Sequence, residues 1–386
     1  MNQFDIAIIG AGPAGSSAAI LLARRGYSVA LLDKDEFPRD KLCGDFLNPS
    51  CWPLFAELGI GDALLAVDHE TVSAFRMTCC SGAEAELPLS APNSANSPGV
   101  GLRRFFFDEI LFKKAAAEGV STLPGRRINS LHRQSRGWRI DHYHGEIGAT
   151  LQAKILIGAD GRNSWVANQL ALNRESARRG RAVGFQLRLK HRGGLGGRVE
   201  IHQFPGGYAG VLGLGDGTLN LCLAADRRQL GAHLRIDALL ETHLPKNPHL
   251  QALLRQAEPA GPVRSTYPVY FPARRAHGEG VLLIGDAARV NEPVTGEGIF
   301  FALRSAAIAA ATIDQALRSN DPSASRLSAY TLRCRREFRR RRALNALIRW
   351  VIYRPALLSG LLRLSRRNEL FLEPLVQAIC TPENPG

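Results

Sequence analysis

The hexapeptide GAGPAG at residues 10–15 constrains this chain more than any other stretch. An apolar run from Phe4 to Ile9 precedes it, and from Ser16 to Arg25 the residues Ala, Leu and Ile recur at three- and four-residue spacing. The order is therefore strand, turn, helix. In that setting Gly10 makes the tight turn, Gly12 admits a pyrophosphate against the backbone, and Gly15 lets the helix pack closely on the strand. Pro13 and Ala14 complete the loop, whose free N–H groups at a helix N-terminus favour an anion. After Gly26 the run YSVALLDK reads as a second strand ending in Asp33-Lys34, about twenty residues on, where a carboxylate accepts from ribose hydroxyls. A glycine-rich turn with no ligand is a poor account of all these features together.

Two later stretches narrow the nucleotide. Residues 155–166, ILIGADGRNSWV, form an apolar strand running into Asp160-Gly161, and residues 281–299, VLLIGDAARVNEPVTGEGI, form another running into Gly285-Asp286. Three such motifs in this order resemble the FAD-dependent flavoproteins that include aromatic hydroxylases of the p-hydroxybenzoate type, flavin-dependent halogenases and geranylgeranyl reductases. The resemblance implies that Asp286 bonds the ribityl chain of FAD and that Asp160-Gly161 shapes the floor near the pyrophosphate. It also implies that Pro293 and the run Gly296-Glu297-Gly298-Ile299 bring a helix N-terminus to the flavin edge, where the dipole favours negative charge. Arg104 begins RFFFDEIL, which matches the family's Arg-x-x-Phe-Asp-x-x-Leu helix and would lie along the cofactor; the other reading is a solvated helix arginine.

The stretch FPRDKLCGD at 37–45 separates the branches. It is similar to the Lys-x-Cys-Gly segment of geranylgeranyl reductases and bacterial menaquinone reductases, which saturate isoprenoid double bonds with reduced FAD. Aromatic hydroxylases usually carry a histidine after Gly-Asp-Ala-Ala, where this chain has Arg289. Its tryptophans, at 52, 138, 165 and 350, make no Trp-x-Trp segment of the halogenase kind. On this resemblance Cys43 is a proton donor or relay beside the flavin, Gly44 gives close backbone approach, and Lys41 lowers the thiol pKa or binds a substrate diphosphate. Cys43 as a small packing hydrophobe stands beside that reading. Cys79 and Cys80 are read as strand residues with inert thiols.

Between Asn163 and Gly280 short alternating or apolar runs are bounded by glycines, the pattern of an antiparallel sheet. The expected fold is α/β: a Rossmann-like FAD-binding domain, an inserted antiparallel β-sheet substrate domain and a helical C-terminal region. The cofactor domain is discontinuous, 1–75, 99–175 and 265–320; the sheet takes 76–98 and 176–264, and residues 321–386 form the basic amphipathic helical end. Tyr208, with His202 and Gln203 just before it, is the candidate for the substrate pocket, although a strand aromatic is also ordinary core. GGLGG at 193–197 reads as a hairpin turn rather than a second dinucleotide site. NAD(P)H therefore visits transiently, or a protein partner donates the electrons.

Forty-nine Lys and Arg against 35 Asp and Glu give a net charge of +14, and nine arginines lie between Arg333 and Arg354. The cluster flanks apolar residues, which suits peripheral contact with anionic lipid or a solvated closing helix. No nucleic-acid module is recognisable, so no nucleic acid is expected. Seven scattered cysteines fit neither a zinc site nor a disulfide framework; no metal is expected, and a reducing, cytoplasmic compartment is, with contact at the inner face of the cytoplasmic membrane. Three functions follow in order: reduction of carbon–carbon double bonds in a hydrophobic isoprenoid-like lipid or quinone; monooxygenation of an aromatic or polyketide-like substrate; and a non-catalytic flavin-bearing scaffold or electron carrier.

Overall fold

Strand β1 (Asn2–Ile9) lies inside a parallel sheet, and its Ile6, Ala7 and Ile8 are shielded on both faces, which is why the run is continuously apolar. The computed structural model describes residues 2–89, 97–173, 182–231, 235–367 and 373–381. The sheet runs in the order His277–Gly278, Val281–Leu283, Ile147–Gly158, β1, β2 (Val29–Leu32) and Ser121–Leu123. All its joins are parallel except the first. The hairpin Arg127–Gln134 and Gly137–His144 is added antiparallel to Ile147–Gly158.

Helix α1 (Pro13–Ala23) packs against the 21-residue helix Gly298–Arg318. That second helix is long and apolar enough to cross a membrane, but its Ile299, Leu303, Ala306, Ile308 and Ile313 are buried in the core of this domain. Parallel strands bring their carboxyl ends to one edge. Gly10, Asp33, Asp160 and Gly285 each follow such a strand within two residues, so topology alone collects the four motifs.

The second sheet runs Ala257–Pro259, Ala182–His191, Thr218–Asp226, Gly207–Gly213, Arg198–Phe204, Ala74–Thr78 and Glu84–Pro88. It is not wholly antiparallel as expected. Arg198–Phe204 pairs parallel with Ala74–Thr78, because the latter arrives from the cofactor domain rather than through a hairpin. The sheet also begins within the stretch given to the cofactor domain and extends to Arg264–Thr266, which pairs with Gly184–Gln186. Residues 90–96, 176–181 and 232–234 of the expected insertion lie outside the described residues. The GGLGG turn joins Ala182–His191 to Arg198–Phe204, with Gly194, Gly196 and Gly197 at positive φ.

Strand alternation gives this sheet two faces. Phe204, Val211 and Leu221 point outward beneath Leu239, Leu244 and Leu250. Ile201, Tyr208 and Ala224 point inward against Ile352, Leu358 and Leu362 of the helices Arg339–Ile352 and Pro355–Arg367. The C-terminal region therefore spends much of its apolar face on closing the molecule. Residues 368–372 and 382–386 of that region are outside the described residues.

Candidate functional site

The glycine loop is fixed by sterics. Gly10 has φ +104°, and a Cβ there would lie 2.5 Å from the carbonyl oxygen of Ala159; one on Gly15 would lie 1.8 Å from that of Gly10. Gly12 differs, for the nearest atoms to a Cβ would be the guanidinium tips of Arg104 and Arg39, at 3.8 and 3.9 Å. Its backbone opens on a gap bordered by two cations, the setting a pyrophosphate needs. Asp33 accepts from the Ala11 N–H at 2.7 Å and the Asp35 N–H at 3.0 Å, and its Oδ2 stands 3.4 Å from Arg39. A carboxylate has about four acceptor positions, so a ribose hydroxyl can still be received. Lys34 is exposed beside it.

Arg104 is 7% exposed, which rules out the solvated reading. Its Nε and Nη2 donate to the two oxygens of Asp108 at 2.6 and 2.7 Å, and Arg39 reaches the same carboxylate at 2.9 Å. Arg39 and Asp108 escaped the sequence reading. Asp108 had a signal, its place one helical turn after Arg104; Arg39 had only its nearness to Asp33.

The remaining motif residues divide into open and buried positions. The Asp160 carboxylate accepts from the Val166 N–H at 3.0 Å, capping the helix Trp165–Gln169, and burial pushes its pKa up. Gly285, at φ +54°, presses on Ala14, since a Cβ would lie 2.8 Å from the Ala14 methyl. Asp286 is half-buried, Pro293 and Gly298 are exposed, and Ile299 is buried. Gly296, at φ +64°, lies against the Phe46 ring. Glu297 is turned away from the cleft: its carboxylate meets Arg341 at 2.5 Å, each residue being 2% exposed, with that guanidinium over the Phe300 ring. Of the expected Gly296-Glu297-Gly298 contact only backbone remains for a flavin, because the Glu297 side chain is used to hold the C-terminal region.

The segment after Pro38 is held by the second sheet. The carbonyl of Cys43 accepts from Gln186 Nε2 at 2.8 Å, Asn220 Nδ2 at 2.8 Å and the Cys222 thiol at 3.2 Å. Asp45 is fully buried at φ +57°, accepts from the Arg104 N–H at 3.2 Å and pairs with Arg188 at 2.5 Å. Burial, opposed by Arg188, pushes the Asp45 carboxyl up to about 6. Gln186, Asn220 and Arg188 did carry a sequence signal, as polar residues on the cofactor-facing positions of apolar strands.

Lys41 and Cys43 are surrounded by protein on several sides, yet the first is solvent-exposed and the second half-buried, the position of residues on a cleft wall. Burial and then the Asp45 charge raise the Cys43 thiol pKa, while Arg104 opposes them. The expected lowering by Lys41 is thus replaced by the opposite shift. Lys41 instead reaches the Asp160-Gly161 turn, its Nζ 3.2 Å from where a Cβ on Gly161 would sit, and burial followed by Arg104 and Arg39 depresses its pKa. A Cβ on Gly44 would meet no atom within 4 Å, so protein packing does not demand glycine there.

Tyr208 and His202 do not share a pocket, because strand alternation puts them on opposite faces. Tyr208 faces inward, is 3% exposed, and donates to Glu292 at 2.7 Å. His202 faces outward, fully buried, with Nδ1 2.8 Å from the Thr78 hydroxyl and Nε2 3.0 Å from Glu200. The substrate role expected of His202 is corrected to a structural one. Gln203 shares the Tyr208 face but donates to the Phe204 carbonyl at 2.8 Å. Cys79 is buried and the Cys80 thiol is pushed up to about 11 by burial, so the latter is protonated at neutral pH.

These features fit FAD: a cation-bordered gap at Gly12, an acceptor at Asp33, and open space at Gly44 and Gly298 where a Cβ would meet nothing. The FAD binding domain family matches residues 3–192, and the squalene epoxidase family matches 233–348. A menaquinone reductase of Mycobacterium tuberculosis is 30% identical over 324 residues, covering 81% of this chain and 77% of that protein.

This chain belongs to the geranylgeranyl reductase family of FAD-dependent oxidoreductases.

It is accordingly an enzyme, an FAD-dependent oxidoreductase. A second relative in this geranylgeranyl reductase family, digeranylgeranylglycerophospholipid reductase 1 of Methanopyrus kandleri, is 29% identical over 87% of each chain. A solved geranylgeranyl bacteriochlorophyll reductase-like protein of Thermoplasma acidophilum superposes with a TM-score of 0.79 at 20% identity, over 100% of this chain and 97% of that one. The flavin-dependent brominase Bmp2 gives a TM-score of 0.81 at 20% identity over 98% and 94%, a likeness of fold.

Proposed function

We propose that this reductase saturates carbon–carbon double bonds of an isoprenoid chain carried by a lipid or quinone. The observation that carries the reading is the three-donor grip on the Cys43 carbonyl, which stations the thiol between Arg104, beside the glycine loop, and the inner face of the second sheet. Gly10, Gly12, Asp33, Arg39, Arg104, Asp160, Gly161, Gly285 and Asp286 would hold FAD, which supplies a hydride when bound in its reduced form. Cys43, protonated because burial raises its pKa, holds at Sγ the proton that the second alkene carbon requires. Arg104 stabilises the thiolate left behind, and water in the cleft returns the proton. Lys41, at the Gly161 turn, adds positive charge for phosphate oxygens. The inward face offers Gly210 and Cys222, small half-buried residues, as width for a chain.

The relatives named for menaquinone and digeranylgeranylglycerophospholipid support an isoprenoid-bearing substrate. Electrons would come from transient NAD(P)H or a protein donor. Exposed Leu347, Trp350, Leu357 and Leu364 among arginines support peripheral contact with an anionic cytoplasmic membrane surface, from which such a substrate is drawn. The squalene epoxidase match favours a second reading, oxygen insertion into an aromatic or polyketide-like substrate. Mass spectrometry of lipid and polyprenyl-quinone extracts separates them. Gain of two hydrogens per event under anaerobic reduction is the expected result; gain of oxygen only in air would replace reductase by monooxygenase.

A further inference from the structure

A cavity of about 250 Å³ lies between the Ala273–His277 segment, the Gly285–Arg289 turn and the helices Gly298–Arg318 and Ala324–Glu337. It is lined by Arg274, Arg275, Arg289, Arg335, Arg342 and His277, and among the described residues no carboxylate lines it. None of the five arginines forms an ion pair with a described carboxylate. Arg274 donates to the Ala287 and Arg162 carbonyls and to Asn173 Oδ1, and Arg342 to the Phe338, Cys334 and Arg335 carbonyls; only for Arg274 do carboxylates, Asp160 and Asp286, favour the charge from beyond ion-pair reach. The Nε of Arg289 is buried with no partner. Five guanidinium groups without an ion-pair partner around one cavity repel one another unless an anion enters.

We propose that this cavity is a second binding site, for a phosphoryl group. Guanidinium forks match phosphate oxygens, and a water needs only about 10–15 Å³ on the same measure, so a phosphoryl group fits with room for attached atoms. Burial, and then the like charges of Arg342 and Arg349, push Arg289 down to about 10. The cavity shares no residue with the gap at Gly12, Arg39 and Arg104, and it borders the expected ribityl-binding turn at Gly285, Ala288 and Arg289. The site is independent of which reaction the flavin serves.

The test uses the FAD-loaded enzyme, so that the cofactor's own phosphate positions are filled. Thermal stability is followed against inorganic phosphate and, separately, short-chain phosphatidic acid, with chloride holding ionic strength constant. At least one ligand raises Tm saturably, and Arg335→Glu, an exposed position, together with Arg289→Gln, weakens its binding by about tenfold or more. Tighter binding of the lipid identifies a headgroup as the source, whereas equal binding identifies a free phosphoryl anion. No rise beyond chloride with either ligand, or unchanged affinity in Arg335→Glu, would overturn the proposal.

Discussion

The carbonyl of Cys43 and the side-chain amide of Asn220 are joined by a 2.8 Å hydrogen bond across 177 residues of sequence. Two domains thus meet on one backbone oxygen. Replacing Asn220 by Leu removes one of the three donors, together with the Oδ1 that accepts from Gln186 at 3.0 Å, and loosens the loop that carries the thiol. Losing one such donor is worth about 1–3 kcal/mol, so kcat falls roughly tenfold or more while flavin absorbance per protein stays constant. Steady-state kinetics checks this; an unchanged kcat would mean that the grip serves folding alone.

Cys43→Ala retains FAD and loses most turnover, since no protonated group replaces Sγ on the cleft wall. Cys43→Ser keeps a hydroxyl of far higher pKa and is also slow. Product formation under anaerobic reduction measures both, and full activity of the alanine variant would remove Cys43 from the chemistry.

Asp45 gives a pH dependence whose sign can be worked out. Its carboxyl titrates at about 6 in the folded protein against a usual value of 3.8. The folded chain therefore holds a proton that the unfolded chain releases between those limits, and the stability it contributes is fully present below about pH 4 and lost as pH rises through about 6. The loss is on the order of 3 kcal/mol. Asparagine tolerates the same positive φ, so Asp45→Asn removes this slope without adding backbone strain. Urea denaturation of both proteins from pH 4 to 8 reads the difference; parallel profiles would show that the carboxyl is not perturbed.

The Glu297–Arg341 pair fixes the C-terminal region to the start of the helix Gly298–Arg318. Arg341→Met takes the guanidinium from a buried carboxylate and costs about 3–5 kcal/mol. Glu297→Leu combined with Arg341→Met recovers a large part of that, because both buried charges are then removed together. Chemical denaturation of the single and double variants measures the coupling.

His202→Ala lowers stability by about 1–3 kcal/mol through the loss of its contacts with Thr78 and Glu200. Turnover per bound FAD stays at the wild-type level. A selective loss of turnover would return His202 to the substrate site.

The cofactor half was legible because its constraints are local. GAGPAG, the apolar strand before it and Asp33 after it stand within one supersecondary unit, where the path of the chain dictates which atoms meet. The Asp160-Gly161 and Gly285-Asp286 turns were legible for the same reason: each ends a strand of a parallel sheet whose carboxyl ends share one edge. Lys-x-Cys-Gly was visible as a motif, yet its partners were not. Gln186, Asn220, Cys222 and Arg188 come to Cys43 and Asp45 only when a distant sheet folds over, and no spacing in the sequence encodes that approach.

The sequence by itself determined the fold class and the cofactor, because near neighbours in the chain satisfy those requirements. Tertiary structure alone decided that His202 faces away while Tyr208 faces inward, that Glu297 belongs to Arg341, and that burial raises the Cys43 thiol where a neighbouring lysine was expected to lower it. Strand register and desolvation are properties of the assembled molecule. A one-residue shift reverses the first, and the second depends on every atom that excludes water.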